Sequence, residues 1–332
     1  MEKMIFYTNA LPIYRHELYV RLQRKGWRFI VGNLHQFSDV LFGLNGIDYR
    51  MCKVLKIGAI KFSRFPVQKN AKKVLLNFDR SDVGFWLLLA RYSYFHCNTD
   101  VVVWGHITYE KDSALTRYIL RKVFSKVKLV FSYGSFPIIS LGLKNIVQVY
   151  NGVAWDRPAF RPALVLRSKL VYVGRRSVVK KLDVLIDYCD ILGICVDIVS
   201  PDIIESDSKY VNYVGYLSGN ELRAFLLDGN YLAMVSLGNA GLNSIEASMC
   251  SLPTISQWNL ETNMPEIEHL SDLDELFMKD SSIGQFKKCY DYLTGLNVES
   301  YRAIQSIVFN GVEKWTVKHQ WSIFNKYLHE AT

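Results

Sequence analysis

The residues best suited to chemistry lie in one stretch, SLGNAGLNSIEASMCSLPTISQWNLETNMPE, residues 236–266. The apolar run Tyr231 to Ser236 reads as a buried strand. Gly238, Asn239, Ala240 and Gly241 then form a turn into a helix beginning near Leu242. Backbone N–H groups at such a helix start have no partner within the helix, and the helix dipole adds positive charge. The turn is therefore suited to an anion, most often a phosphate. Glu246 falls about one turn inside the helix, where a carboxylate can accept hydrogen bonds from ribose hydroxyls.

Other strand ends carry matching chemistry. Gly174 ends the strand in SKLVYVGRR, Arg175 follows it, and Lys180 lies five residues on. Two cations so placed can neutralise a diphosphate and stabilise it as it leaves. Val214, Gly215 and Tyr216 close a further strand, where backbone groups can read a base edge. His106 follows the strand DVVVWG, at the carboxyl end where open α/β sheets place ligands. Asp272 and Asp274 form an Asp-x-Asp that resembles a known metal-binding motif, but they precede an apolar helix and are read as its cap.

These strand ends must be held by alternating strands and helices. Apolar strands are expected at MIFYTNA, WRFIVG, MCKVLKIG, KVLLNF, DVVVWG, KLVFSYG and NIVQVYNGV, with helices such as PIYRHELYVRLQRKG and LTRYILRKVFSKV between them. That alternation implies a parallel sheet. The run AWDRPAFRPALVLRS, with two prolines, reads as an interdomain linker. After it the pattern repeats through SKLVYVGRR, CVDIVS, YVNYVGYL and YLAMVS, and the chain is helical from about Ser282. The fold expected is α/β: two doubly wound domains, residues 1–153 and 154–332, facing across a cleft. The apolar stripe of WTVKHQWSIFNKYL is expected to pack across the domains.

The 332 residues suffice for two such cores, and half of them are hydrophobic, which excludes a disordered chain. Cys52, Cys97, Cys189, Cys195, Cys250 and Cys289 show no C-x-x-C spacing, so buried thiols, a reducing compartment and no structural metal are expected. MEKMIFYTNALPIYR does not carry the long apolar core of an export signal, and GFWLLLARYSYF is too short to span a bilayer, so a cytoplasmic protein is expected. Charge is uneven. Residues 1–150 hold 23 Lys and Arg against 9 Asp and Glu, net +14; residues 151–332 hold 17 against 22, net −5, which together recover the overall +9. The basic half could meet nucleic acid, an anionic membrane surface or an acidic acceptor.

The order of these blocks resembles the retaining family 4 glycosyltransferases of the GT-B fold: YNGV, then VGRRSVVKKLDVLI, VGYLSGNEL and GLNSIEASMCSLPTI. In that family the block after the linker reads roughly V-G-R, four residues, K-G-x-D, and its Arg and Lys hold the donor's phosphates. By position these are Arg175 and Lys180, with Lys181 where glycine is usual. The later of the family's two glutamates, which holds the ribose, matches Glu246; the earlier would fall at Gly238. A bacterial surface-polysaccharide subgroup carries P-G-N-x-G-L here and a downstream M-P-E. This chain has LGNAGL and Met264, Pro265, Glu266, so the sugar is expected against Asn239, Ala240 and Gly241, at the helix start of Leu242, and against Glu266. Trp104, Gly105 and His106 resemble the first-domain strand end whose histidine approaches the transferred sugar.

The resemblance implies a nucleoside-diphosphate sugar on the second domain and an acceptor hydroxyl over the first; the basic first domain suggests a glycan acceptor carried on a lipid diphosphate. The resemblance also implies transfer with retention and no metal or other cofactor, while the basic first domain suggests a site of action at the inner face of the plasma membrane. Arg15, Arg21, Arg24, Lys25, Lys72 and Lys73 are the cations expected to face anionic lipid. Two other readings stay open: a sugar-nucleotide-binding relative without turnover, and nucleic-acid binding by the basic half, although no nucleic-acid motif is present.

Overall fold

Strands buried on both faces need near-continuous apolar runs, and runs such as IFY, VLL and VVVW supply them. The result, in a computed structural model, is two parallel sheets flanked by helices. The structure describes residues 3–12, 15–32, 46–58, 60–95, 98–105, 107–108, 112–134, 136–153, 157–163, 165, 167–238, 240–257 and 265–330. The chain divides into two units, Met1–Ala154 with Gln320–Thr332, and Trp155–His319.

The first unit runs β1 (Met4–Thr8), α1 (His16–Arg24), β2 (Trp27–Val31), β3 (Tyr49–Met51), β4 (Val54–Ile57), β5 (Ile60–Ser63), β6 (Lys73–Asn77), α2 (Val83–Phe95), β7 (Asp100–Gly105), α3 (Ala114–Phe124), β8 (Leu129–Tyr133), α4 (Phe136–Leu141) and β9 (Ile146–Val149). Its sheet is parallel, in the order β3-β2-β1-β6-β7-β8-β9. Strand β1 shows why it is buried twice over. Ile5 and Tyr7 enter one core, while Phe6, on the opposite face, packs edge-on against Phe29 at 5.2 Å and near Trp104 at 5.9 Å. Each such side chain fully removed from water contributes about 1.5–3 kcal/mol.

The second unit runs β10 (Leu170–Val173), α5 (Leu182–Leu192), β11 (Val196–Val199), β12 (Val211–Gly215), α6 (Gly219–Asp228), β13 (Ala233–Ser236), α7 (Leu242–Met249), β14 (Thr254–Gln257), a 3-10 helix (Pro265–Leu270), β15 (Phe277–Met278), α8 (Ile283–Gly295) and α9 (Val298–Gly311). This sheet is also parallel, in the order β12-β11-β10-β13-β14-β15. The strand order reverses between β10 and β13, the topological switch point at whose carboxyl ends such sheets bind ligands. The last helix, α10 (Val317–Asn325), runs into residues Gln320–Thr332 of the first unit. There Phe324 stacks on Phe131 at 4.5 Å and meets Trp104 edge-on at 5.0 Å.

Three expectations are corrected. MCKVLKIG is not one strand of the sheet. β3 stops at Met51, and Val54–Ile57 pairs antiparallel with β5, because the chain turns back at Gly58, whose φ is +59°. Asp272 and Asp274 cap no helix. Asp274 opens a 3-10 turn whose cap position is Leu273, with no side-chain capping bond. Arg15 is not a surface cation. It is 6% exposed, its Nε donates to Asn151 Oδ1 at 3.2 Å, and its guanidinium lies 4.6 Å from the Trp104 ring centre. Lys73 donates to the Leu328 carbonyl at 2.7 Å and Arg21 pairs with Glu17, which leaves Arg24, Lys25 and Lys72 exposed. No helix among the described residues is long and apolar enough to cross a membrane.

Candidate functional site

Gly174 follows β10 directly, at the switch point of the second unit, with φ +154°. A Cβ there would lie 3.1 Å from the Tyr172 hydroxyl and 3.4 Å from Asn243 Nδ2, so the backbone passes close to α7. Asn243 Nδ2 donates to the Val173 carbonyl at 2.5 Å and Tyr172 donates to the Arg175 carbonyl at 2.9 Å. These two bonds set where Arg175 leaves the sheet. Its neighbour Arg176 is held by Asp183 at 2.9 Å, whereas the exposed Arg175 guanidinium has no hydrogen bond or ion pair among the described residues. Of the two arginines, Arg175 is the one available to a ligand.

The loop then turns to Lys180. Ser177 accepts from the Lys180 and Lys181 amides through its carbonyl, at 3.0 Å each. Lys181 sits in the left-handed region, φ 54° and ψ 38°. That is the conformation glycine favours, and it costs a non-glycine residue about 1–2 kcal/mol. The loop shape is therefore kept although the glycine is absent, with Lys181 Nζ tied to Ser281 Oγ. Lys180 turns inward and its Nζ donates to the Ala240 carbonyl at 3.4 Å. Desolvation lowers its pKa to about 8, with Arg175 pushing the same way and the Glu266 carboxylate opposing. Arg175, Lys180 and Glu266 thus share one electrostatic neighbourhood, and Glu266, 3% exposed, opens the 3-10 helix after β14.

The opposite wall is the turn after β13. Gly238 packs backbone to backbone on the Lys180 loop: a Cβ there would come within 1.8 Å of the Val179 carbonyl oxygen. Gly241, with φ 55° and ψ −155°, precedes Leu242 at the start of α7 and makes no side-chain capping bond, while the Ser244 amide donates to the Gly241 carbonyl at 3.1 Å. The leading amides and dipole of α7 are presented beside Lys180 and the buried Ala240. The carboxylate of Glu246, partly buried on α7, has no hydrogen bond or ion pair among the described residues. Desolvation alone pushes its pKa up to about 7. Perturbed groups of this kind gather at functional sites.

Gly215 and Tyr216 lie at the carboxyl end of the same sheet, separated from β10 by β11. The register slips between Ile198 and Val199, so that Gly215 faces Val199, and Gly215 takes φ +97° with open space around its Cα. Tyr216 is 43% exposed just beyond. His106 and Asn239 lie outside the described residues. No group of His, Cys, Asp and Glu that could hold a metal ion occurs among the described residues.

Sequence reasoning missed Asn243 and Tyr172, whose roles depend on contacts with β10 and its loop. It also missed a polar cluster at the switch point of the first unit, between β1 and β6. Asn9 Nδ2 donates to Asp79 Oδ2 at 2.9 Å, and Lys61 Nζ reaches the same oxygen at 3.1 Å. Burial opposes ionisation of Asp79, but hydrogen bonds from Ser81 and Lys61 outweigh it and hold the carboxyl below its ordinary value.

No protein-family model matches the chain. No curated protein is significantly similar to it in sequence. Solved structures do match. The lipopolysaccharide outer core galactosyltransferase WaaB superposes with a TM-score of 0.60 at 11% identity, covering 99% of this chain and 100% of that one. Sucrose-phosphate synthase from Thermosynechococcus elongatus gives 0.62 at 12% identity, covering 100% of both chains. TarM gives 0.54 at 14% identity over 79% of this chain, which spans 55% of the TarM chain. The two parallel sheets and these likenesses give the chain the GT-B fold, with two Rossmann-like domains.

Proposed function

We propose that the chain is a glycosyltransferase that moves a sugar from a nucleoside diphosphate to a hydroxyl of a glycan acceptor, with retention and without a metal ion. One observation carries the reading. Arg175, Lys180 and the uncapped start of α7 converge on the carboxyl end of the β10–β13 switch point. Two cations and a helix start there suit a diphosphate, and they would stabilise the charge that grows on it as the sugar departs. Glu246 would accept from the ribose hydroxyls, Gly215 and Tyr216 would meet the base, and Glu266 with the 239–241 turn would hold the sugar. The acceptor hydroxyl would lose its proton to the departing diphosphate, and His106 would contact the transferred sugar. An acceptor carried on a lipid diphosphate, in surface-polysaccharide synthesis at the inner membrane face, fits the basic first unit and the likeness to WaaB.

Melting-temperature screening against UDP, GDP, CMP and dTDP compounds tests the donor site, because a ligand that binds only the folded state raises the melting temperature. Incubation with the stabilising nucleotide sugar and an acceptor glycan, with and without a chelator, tests transfer. Dependence on added metal removes the metal-independent mechanism, and a β-linked product from an α-linked donor removes retention. Gly238, standing where a carboxylate is usual, favours one rival, a relative that binds donor without turnover. A melting shift with no transfer to any glycan would select it.

A further inference from the structure

The β4–β5 hairpin lies outside both sheets and is turned inside out. Its register pairs Leu55 with Phe62 and Ile57 with Ile60 on one face, and Lys56 with Lys61 and Val54 with Ser63 on the other. The polar face is turned inward along β5, while Lys56 at the far end of β4 stays exposed. Lys61, 9% exposed, bonds Asp79, and Ser63, 5% exposed, bonds Asp82. The apolar face is left to solvent, with Leu55, Ile57 and Ile60 each more than half exposed. Beside it α2 presents Leu87, Arg91 and Tyr94 at helical spacing, with Leu87 and Tyr94 each 57% exposed. Leu55 and Phe62 from the hairpin and Leu87 and Leu88 from α2 line an open groove of about 390 Å3, with Arg64 and Arg91 also in its walls and no carboxylate among its lining residues.

The charge around this face is one-signed. Residues 49–78 contain eight Lys and Arg and no Asp or Glu, and among them Lys53, Lys56 and Arg64 are exposed. A second copy meeting the same face across a two-fold axis would set like charge against like. A nucleic acid offers phosphates but no apolar layer to receive Ile57 and Ile60. An anionic bilayer offers both, since interfacial elements bury an apolar face at the headgroup boundary while their cations meet lipid phosphates.

The geometry points to the β4–β5 hairpin and the outer stripe of α2 as the surface by which this chain docks on an anionic lipid bilayer. The inference builds on the membrane partner of the proposed reading and moves it from the cations of α1 and β6 to this face. It fits an enzyme whose acceptor is lipid-borne, yet its test uses neither nucleotide nor sugar, so its failure and a failure of the transferase reading are separable.

Sedimentation of the full chain with phosphatidylcholine vesicles, and with vesicles that also hold phosphatidylglycerol, gives the readout. Wild type is expected to bind the mixed vesicles well above the neutral ones, and less so in raised salt. Ile57→Ser with Ile60→Ser is expected to lower binding at every salt concentration. Arg64→Gln with Arg91→Gln is expected to lower it by about fivefold per cation removed at low salt, and less at high salt. Arg24→Gln with Lys25→Gln, at the exposed end of α1, is the control and is expected to bind as wild type. All six positions except Ile57 and Ile60 are charged and all are exposed, so melting temperatures should match wild type and report intact folding. Equal binding to neutral and mixed vesicles, or an α1 pair as damaging as the hairpin pairs, would overturn the inference. So would a lipid-free dimer in sedimentation velocity that the Ile57/Ile60 variant dissolves, or salt-dependent retention of duplex DNA by a chain that ignores vesicles.

Discussion

Gly238 and Val179 lie so close that a Cβ on the glycine would sit 1.8 Å from the Val179 carbonyl oxygen. The obstacle is backbone, which cannot swing aside as a side chain can. The glycine is therefore the residue that lets the Lys180 loop rest on the turn after β13. In the family this chain resembles, a carboxylate is usual at that position. Here the space it would need is filled by the Lys180 loop.

Restoring a side chain at 238 should push that loop away. Gly238→Ala is expected to destabilise the second unit by about 1–3 kcal/mol, as overpacking against a fixed neighbour does. Gly238→Glu should cost at least as much and abolish nucleotide binding, because Lys180 moves with Val179. Denaturant melts and nucleotide-induced melting shifts check both. A Gly238→Glu chain that melts and binds like wild type would show that the contact has no part in the site.

Glu246 should make stability fall as pH rises. Its folded pKa, about 7, lies above the ordinary carboxylate value, so between about pH 4.5 and 7 the folded state holds a proton that the unfolded state has released. The full pKa gap corresponds to about 3 kcal/mol, which partial exposure reduces to about 1–2 kcal/mol. Glu246→Gln should remove this slope and be the more stable protein at pH 8. It should also weaken nucleotide binding about 10- to 100-fold, since hydrogen bonds to a charged acceptor are the strong kind. Urea melts from pH 5 to 8 and nucleotide titrations separate the two effects.

Lys180 should close the window from above. With a pKa lowered to about 8, it loses its charge over a range where an ordinary lysine keeps it. The unfolded chain then holds the extra proton, so this residue makes stability rise between about pH 8 and 10.5. Affinity for a nucleoside diphosphate should move the other way and fall above pH 8. Together with Glu246, whose carboxylate forms near pH 7, this sets the best binding between about pH 7 and 8. Lys180→Gln should bind weakly and lose the alkaline limb. A wild-type profile that is flat from pH 6 to 9.5 would contradict both assignments.

Arg175 and Arg176 should behave oppositely although adjacent. Arg175→Ala is expected to leave the melting temperature unchanged and reduce nucleotide affinity at least tenfold, the loss of a charge-assisted contact. Arg176→Ala removes an exposed pair with Asp183 and should cost at most about 1 kcal/mol of stability while sparing affinity. Calorimetric titration of both variants with the same nucleotide is decisive.

The sequence by itself determined the α/β class, the two Rossmann-like domains and the strand-end positions of the candidate site residues. Buried parallel strands must be apolar along their whole length, helices must carry an apolar stripe, and glycines mark the strand ends; all of these are local patterns. Gly174, Arg175, Lys180 and the 238–242 turn were legible for that reason. Only the tertiary structure decided what depends on distant partners. Arg15 reads as one more surface cation until Trp104, Tyr133 and Asn151 surround it. MCKVLKIG reads as a sheet strand until Lys61 and Ser63 find Asp79 and Asp82, which turns the apolar face of the hairpin outward. Gly238 reads as a lost carboxylate until Val179 is found resting on it. In each case the deciding energy is a contact between residues far apart in the chain, and spacing along a sequence holds no record of it.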